Sequence, residues 1–283
     1  MIRAALLSAV AVSLTASIAP GQSYRTVAES RRLSGEQNLV VDVEFAVGKL
    51  RLVPGNGSSL YQISMVYDEE AFEPDVRYRP ERGRLDVGLS SLNHHNFDYD
   101  DELEQRLDLT LSPEVPLDLR LQFGAAHADL ELGGLALRSA SVETGASESV
   151  IRFSTPNRIQ CERLSFEVGA AQFSAEGLGN AHCRHIDLKG AVGEMTLDLT
   201  GAWSSEIGTR VSIEVGLGDV TLVIPENIGV RMTLDRFLVS VERDGFLKRG
   251  SDYYTRNYDD AETKILIEIN GAFGNVDIDW VQG

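Results

Sequence analysis

The chain carries little of what enzymes, metal scaffolds and nucleic-acid binders are built from. Among its 283 residues are two cysteines, two tryptophans and eight prolines. Two cysteines cannot form a disulfide-dense scaffold or a four-thiolate zinc centre. Positive charge is scarce: 26 Lys+Arg stand against 43 Asp+Glu, a formal net charge of −17. Such a chain repels phosphate backbones, and no Lys/Arg run makes a local exception, so nucleic acid is not an expected partner. Anionic lipid surfaces are not expected partners either, short of a bridging cation. Stretches with a helical apolar period are missing beyond the first two dozen residues. No Gly-x-Ser-x-Gly elbow is present, and Gly216-Leu217-Gly218 opens a strand rather than a helix, so it offers no phosphate cradle. No cofactor is implied.

The one long apolar run lies at the start. Arg3 supplies a positive charge, and Ala4 to Ala19 is small and apolar, broken by Ser8, Ser13, Thr15 and Ser17. Pro20-Gly21-Gln22-Ser23 follows. Residues 1–23 therefore read as a secretory signal peptide, cleaved near Ser23, with a retained anchor helix as the alternative. No cysteine follows the run, which excludes a lipoprotein anchor. The expected mature chain is exported, to the periplasm or cell surface, and contains no membrane span.

What the chain does have is a repeat. Small-residue corners opened by glycine recur at Gly124, Gly145, Gly169, Gly190 and Gly216, each followed by an alternating strand. A second register runs through Leu137-x-x-Ala140-x-Val142-Glu143, Cys161-x-x-Leu164-x-Phe166-Glu167, Cys183-x-x-Ile186-x-Leu188-Lys189 and Gly208-x-x-Val211-x-Ile213-Glu214. A strand-built period of roughly 20–26 residues marks a stacked β-solenoid. The fold class is thus all-β: a toast-rack-like solenoid of short strands with Gly/Ala corners. Ala46-Val47-Gly48-Lys49-Leu50 resembles the corner phrase, and Gly271-Ala272-Phe273-Gly274 repeats it near the end. Strands alternate on both sides of a turn at Val47-Gly48-Lys49, and again at Leu60–Tyr67, Val76–Tyr78, Leu85–Leu89 and Leu107–Leu111. Tyr24 to Gln37 reads as a polar lead-in. The expected divisions are 24–118 as an N-terminal β domain and 119–283 as the solenoid repeats, with a tyrosine-rich excursion at 244–260.

Several groups are candidates for chemistry. Cys161 and Cys183 share one position of consecutive repeats, which suits either a disulfide or two buried thiols. His182 and His185 flank Cys183, but neighbouring residues point to opposite faces of a strand, which disfavours a Cys/His metal site. His94-His95 with Asp98, Asp100, Asp101, Glu102 and Glu104 could bind Ca²⁺, although the spacing is not that of an EF-hand. Asp198 and Asp219 are loose candidates for a polysaccharide-cleaving pair. Phe246, Tyr253, Tyr254 and Tyr258, with Trp203 and Trp280, form either an exposed aromatic surface for a glycan or protein, or a cap on the last repeat.

The run Val215-Gly216-Leu217-Gly218-Asp219-Val220 to Val230 resembles the C-terminal domain of LiaF-type cell-wall-active antibiotic response proteins. So does the ending, from Tyr258 through Ile265–Ile269 to Phe273-Gly274-Asn275-Val276-Asp277-Ile278. Val41 to Leu89 is similar to the N-terminal domain of bacterial toast-rack proteins. The resemblance implies a non-enzymatic envelope protein with no catalytic residues to carry over. Some LiaF-type proteins are membrane-anchored modulators of a sensor kinase; this chain lacks their cluster of N-terminal membrane helices. The expectation is a structural or interaction module at the envelope, its partner an envelope protein or glycan. A carbohydrate-active enzyme, or a carbohydrate- or Ca²⁺-binding adhesin, is the alternative.

Overall fold

The structure, a computed structural model, describes residues 23–92, 105–241 and 244–282. The signal segment and the His94–Glu104 cluster lie outside the described residues. Sixteen strands follow in order. They are β1 (Tyr24–Arg32), β2 (Leu39–Pro54), β3 (Ser59–Asp68), β4 (Phe72–Arg79), β5 (Arg84–Ser91), β6 (Arg106–Leu111), β7 (Leu117–Glu131) and β8 (Leu137–Thr144). Then come β9 (Glu148–Arg152), β10 (Cys161–Glu176), β11 (Cys183–Asp198), β12 (Arg210–Pro225), β13 (Gly229–Val241), β14 (Phe246–Arg249), β15 (Asp252–Thr255) and β16 (Lys264–Val281). The only other regular elements among the described residues are two 3₁₀ turns, Pro80–Arg82 and Leu178–Ala181.

Eight rungs stack in parallel in the order β2, β7, β8 with β9, β10, β11, β12, β16 and β13. Each rung is bent at an elbow into two arms. The turn expected at Val47–Lys49 is such an elbow inside one continuous strand, so the flanking segments do not pair with each other. Both arms of β2 instead run alongside both arms of β7. The last strand, β16, slots between β12 and β13, so β13 ends the stack although it precedes β16 in the chain.

The apolar alternation changes phase at the elbow. In β2 the inward residues are Val41, Val43 and Phe45 before it and Leu50 and Leu52 after it. In β10 they are Leu164, Phe166 and Val168, then Phe173 and Ala175. Both arms thus face one core. Equivalent residues form columns such as Val43, Leu121, Val142, Phe166, Leu188, Ile213 and Ile269. Packing is mutual across the arms: Phe166 meets Phe173 at 5.0 Å between ring centroids. A Cβ on Gly190 would fall 2.2 Å from the Met195 sulfur, so the methionine fills the space that glycine leaves. Each fully buried Leu, Ile or Phe contributes roughly 1.5–3 kcal/mol.

The repeat register holds through Ala140, Leu164, Ile186 and Val211. One corner assignment is corrected. Gly190 pairs with Val168 and Val215 and therefore faces the core, so Ala191 stands at the corner with Gly145, Gly169 and Gly216. The elbow demands small residues because one rung's carbonyl lies where the next rung's Cβ would be. A Cβ on Gly124 would sit 2.5 Å from the Ala46 carbonyl oxygen, and one on Gly218 2.2 Å from that of Gly193. Gly193 and Gly274 adopt φ of 137° and 139°, where side chains other than glycine's are strained.

Both ends of the stack are closed by antiparallel pieces. At the N-terminal end β5 extends the first arm of β2 and β6 the second; β4 then pairs with β5, and β3 and β1 follow β6. The polar segment expected as a lead-in is therefore an edge strand, Tyr24–Arg32. Its side chains are mostly exposed, so no apolar alternation announces it, and its place comes from backbone pairing with β3. The sheet runs past residue 118 without a break, because β7 begins at Leu117 and pairs along β2.

The elbow makes a direct prediction. Gly218→Ala should destabilise the chain by roughly 2–3 kcal/mol, since the new methyl meets fixed backbone. Gly208→Asn, at a position with φ of 52° and open space around it, should change the melting midpoint little, because Asn tolerates that conformation. Equal thermal midpoints for the two variants would refute the steric account.

Candidate functional site

The phase change that closes the core also builds a groove on the outside. Two residues before each corner lies an outward position that the stacking brings into a single file. The file runs Glu44, Gln122, Glu143, Glu167, Lys189, Glu214, Asn270, Asp235, each paired with the next. At about 4.8 Å per rung it extends roughly 34 Å across the strands. The corner residues Ala46, Gly124, Gly145, Gly169, Ala191 and Gly216 form a second, nearly side-chain-free file beside it. Between them lies an open groove of about 1480 Å³, closed at one end by Leu89, Ser90 and Ser91.

Within the file, Gln122 Nε2 donates to Glu143 at 2.6 Å, and Lys189 Nζ stands 3.9 Å from Glu167. Five carboxylates thus face one ammonium. The repeat strings ended on Glu143, Glu167, Lys189 and Glu214, so the file was visible in the sequence as the residue two before each corner. What the sequence alone lacked was a reason to read those residues as one wall. On the apex of the elbow, Val192 and Leu217 are adjacent in register and about half exposed, at 46% and 54%.

The carboxylates stand on one side of the groove only. Hydrolysis of a glycosidic bond needs two acids flanking it, whereas a single file touches one flank of an extended ligand. Asp198 and Asp219, the sequence candidates for such a pair, are occupied elsewhere. Asp198 caps a turn through Thr200 N at 2.8 Å and Thr200 Oγ1 at 3.0 Å. Asp219 accepts from the backbone and side-chain nitrogens of Asn275 at 3.1 and 2.9 Å. No cluster of three potential metal ligands occurs among the described residues. His182 takes a left-handed conformation, φ 52°, and its Nε2 pairs with the Ala202 carbonyl at 2.8 Å.

Cys161 and Cys183 face each other in register at the start of β10 and β11, fully buried, and their sulfurs are bonded. The bond ties adjacent rungs at the point where each return loop enters the stack.

The four aromatic residues of the excursion have different surroundings. β14 and β15 form a hairpin that pairs with β13 at Arg231 and Met232. Tyr253 is buried against the last rung, which removes it from the expected interaction surface. Phe246 packs on Trp280 at 5.3 Å, and Tyr254 meets Tyr258 edge-on at 4.9 Å. Arg231 and Arg249 lie over the Tyr254 ring and Lys264 over Tyr258. These contacts are those of a cap. Arg231 binds Asp252 at 2.6 Å and Arg249 binds Asp259 at 2.8 Å. The two guanidinium groups hold these carboxyls below the ordinary aspartate range.

Residues 19–174, more than half of the chain, match the N-terminal domain of toast-rack proteins, DUF2154. The chain belongs to the toast-rack family. Residues 176–278 of this toast-rack protein match the C-terminal domain of LiaF, the cell-wall-active antibiotics response protein. No curated protein matches it. Solved structures with a similar chain path include a proposed cell adhesion protein from Clostridium sporogenes, at 19% identity, 92% and 100% coverage of the two chains and TM-score 0.48. A proposed adhesin from Bacteroides fragilis is 11% identical, with 92% and 98% coverage and TM-score 0.36. A proposed lipid-binding protein from Parabacteroides distasonis is 10% identical, with 92% and 97% coverage and TM-score 0.31. No described helix is long and apolar enough to cross a membrane.

Two predictions follow from the cysteines and the cap. A bond closing a loop of 22 residues contributes about 3 kcal/mol. Cys161→Ala/Cys183→Ala should lower stability by that order in denaturant titration, and thiol labelling of the unreduced chain should find no free cysteine. A labelled Cys161 or Cys183 would refute the bond. For the cap, a carboxyl whose folded pKa is lowered stabilises the fold above its unfolded pKa, and that contribution is lost as pH falls through the folded value. The protection factors of the Tyr253 and Tyr254 amides, exchange rates corrected for the intrinsic pH dependence, should therefore fall on acidification below about pH 4. Asp252→Asn should flatten that dependence; an unchanged slope would show that the Arg231–Asp252 pair does not govern the cap.

Proposed function

We propose that this toast-rack protein is a non-enzymatic interaction module of the bacterial envelope, and that it holds an extended basic segment of a partner protein along the elbow groove. The observation that carries the reading is the single file of five carboxylates beside a floor of glycine and alanine. A floor without side chains lets a ligand backbone lie close, and an acidic wall attracts positive charge and rejects anionic polymers. One-sided carboxylates bind and orient; they do not supply the paired acids of a glycosidase. The signal-like start and the buried disulfide support an oxidising, extracytoplasmic location. LiaF-like sequence in residues 176–278 supports a place near the cell wall. A role in sensing envelope stress fits that place, with the module presenting its groove to a protein partner.

The test uses oligolysine as the probe. The chain should bind it with an affinity that falls as salt rises, because the contacts are exposed and screened. Glu143→Gln/Glu167→Gln/Glu214→Gln should weaken binding by about tenfold or more without lowering the melting midpoint. Removing the exposed Glu29, Glu70 and Glu206 instead should leave affinity within about twofold. Equal losses in the two triple variants would assign the attraction to net charge alone and overturn the groove. Binding of a neutral glycan that is blocked by the groove variant would replace the protein partner with a polysaccharide.

A further inference from the structure

A second recess lies on the opposite side of the rungs, among the return loops. Its volume is about 520 Å³, within the range of small-ligand sites. Trp203 from the loop between β11 and β12 forms part of its lining, with Asn227 from the β12–β13 turn and Asp260, Glu262 and Thr263 from the segment before β16.

The tryptophan is fixed in place. Its Nε1 donates to the Leu199 carbonyl at 2.7 Å, and the ring edge sits over Gly179, where a Cβ would come within 2.8 Å of Nε1. Its N–H is therefore used internally, the side chain packs partly on the core, and what it adds to the lining is apolar ring surface. The turn beside it is fixed as well: Asn257 Nδ2 donates to the carbonyls of Glu226 and Ile228 at 2.9 and 3.1 Å. The side chains of Asn227, Asp260 and Glu262 make no hydrogen bond to the other described residues, and all three are exposed.

We propose that this recess is a binding site for a neutral sugar ring. A pyranose has an apolar C–H face, which suits a rigid aromatic plane, and a rim of hydroxyls that both donate and accept. The recess supplies the matching set: carboxylate acceptors at Asp260 and Glu262, and an amide at Asn227 that does both. The two carboxylates disfavour phosphate, sulfate and uronate. A quaternary ammonium ion is the nearest rival, but it is recognised by several aromatic faces together, and Trp203 is the sole aromatic residue of this lining. The site shares no residue with the elbow groove, so it stands or falls independently of the partner proposed there.

The chain has two tryptophans, which makes the test simple. In Trp280→Phe, Trp203 is the sole indole emitter. Titration with glucose, galactose, mannose, N-acetylglucosamine and their short oligomers should give a saturable change in its emission with at least one of them. Asp260→Asn/Glu262→Asn in the same background should raise the apparent dissociation constant by about tenfold or more. Calorimetry on Trp203→Phe with Trp280 intact should show the same loss. The proposal is overturned if no sugar changes the emission. It is also overturned if the carboxylate variant binds as tightly as its parent, or if tetramethylammonium produces the change and the sugars do not.

Discussion

The structure depends on how closely one rung's backbone approaches the next at the elbow. A strand that bends must bring its carbonyls toward its neighbour, and stacking repeats that approach at every rung. The carbonyls of Ala46, Ala171, Gly193 and Gly218 occupy the space that a side chain on the next rung would need. Small residues at the corner are therefore a steric condition of the stack. The condition fixes register, because a slip of one residue would place a Phe or Glu against a carbonyl. Once register is fixed, every other column is fixed with it: the apolar columns in the core, the cysteine pair, and the carboxylate file outside. The groove floor is the first of these small-residue columns, Ala46 to Gly216, seen from solvent.

That dependence explains what was legible in the sequence. The corner phrase and the apolar periodicity are two views of one constraint, so reading either gave the rung, its inside and the alignment of Cys161 with Cys183. Gly190 was misplaced by one because a second steric demand, room for Met195, also selects glycine. A glycine alone does not say which demand it answers. The edge strand Tyr24–Arg32 was not legible because both its faces are largely solvated and its pairing with β3 leaves no mark on residue type. The groove was half legible. Glu143, Glu167, Lys189 and Glu214 each closed a repeat string, but Glu44, Gln122, Asn270 and Asp235 lay outside those strings, and the acidic file exists only between rungs. The recess at Trp203 joins three loops distant in sequence, and no local pattern could have assembled it.

The ends follow from the same architecture. A parallel stack presents open strand edges at both ends, and exposed edges recruit other strands. Antiparallel pieces cover most of these edges here: β4 over β5 and β1 over β3 at one end, the β14–β15 hairpin over the first arm of β13 at the other. The tyrosine-rich excursion is thus largely accounted for as a lid. Arg231 of β13 and Arg249 of the hairpin lie on the Tyr254 face and pair with Asp252 and Asp259. The features available for a ligand therefore lie along the stack and among its return loops rather than on the aromatic cap.

The distribution of charge sharpens that conclusion. On the outer face of the first arm the carboxylates are matched: Asp118 with Arg138, Asp187 with Arg163, Asp42 and Asp86 with Arg84. Along the groove the matching thins: Lys189 stands beside Glu167, but Glu143 and Glu167 are direct neighbours. Like charges side by side on adjacent strands oppose pairing, and a single lysine would relieve each repulsion. Stability alone would favour the alternation that the first arm shows. Carboxylates that accumulate along the elbow groove are the feature that the proposed cationic partner would neutralise. On that proposal, repulsion within the file and attraction for a cationic segment have one electrostatic origin, and filling the groove would relieve the first through the second.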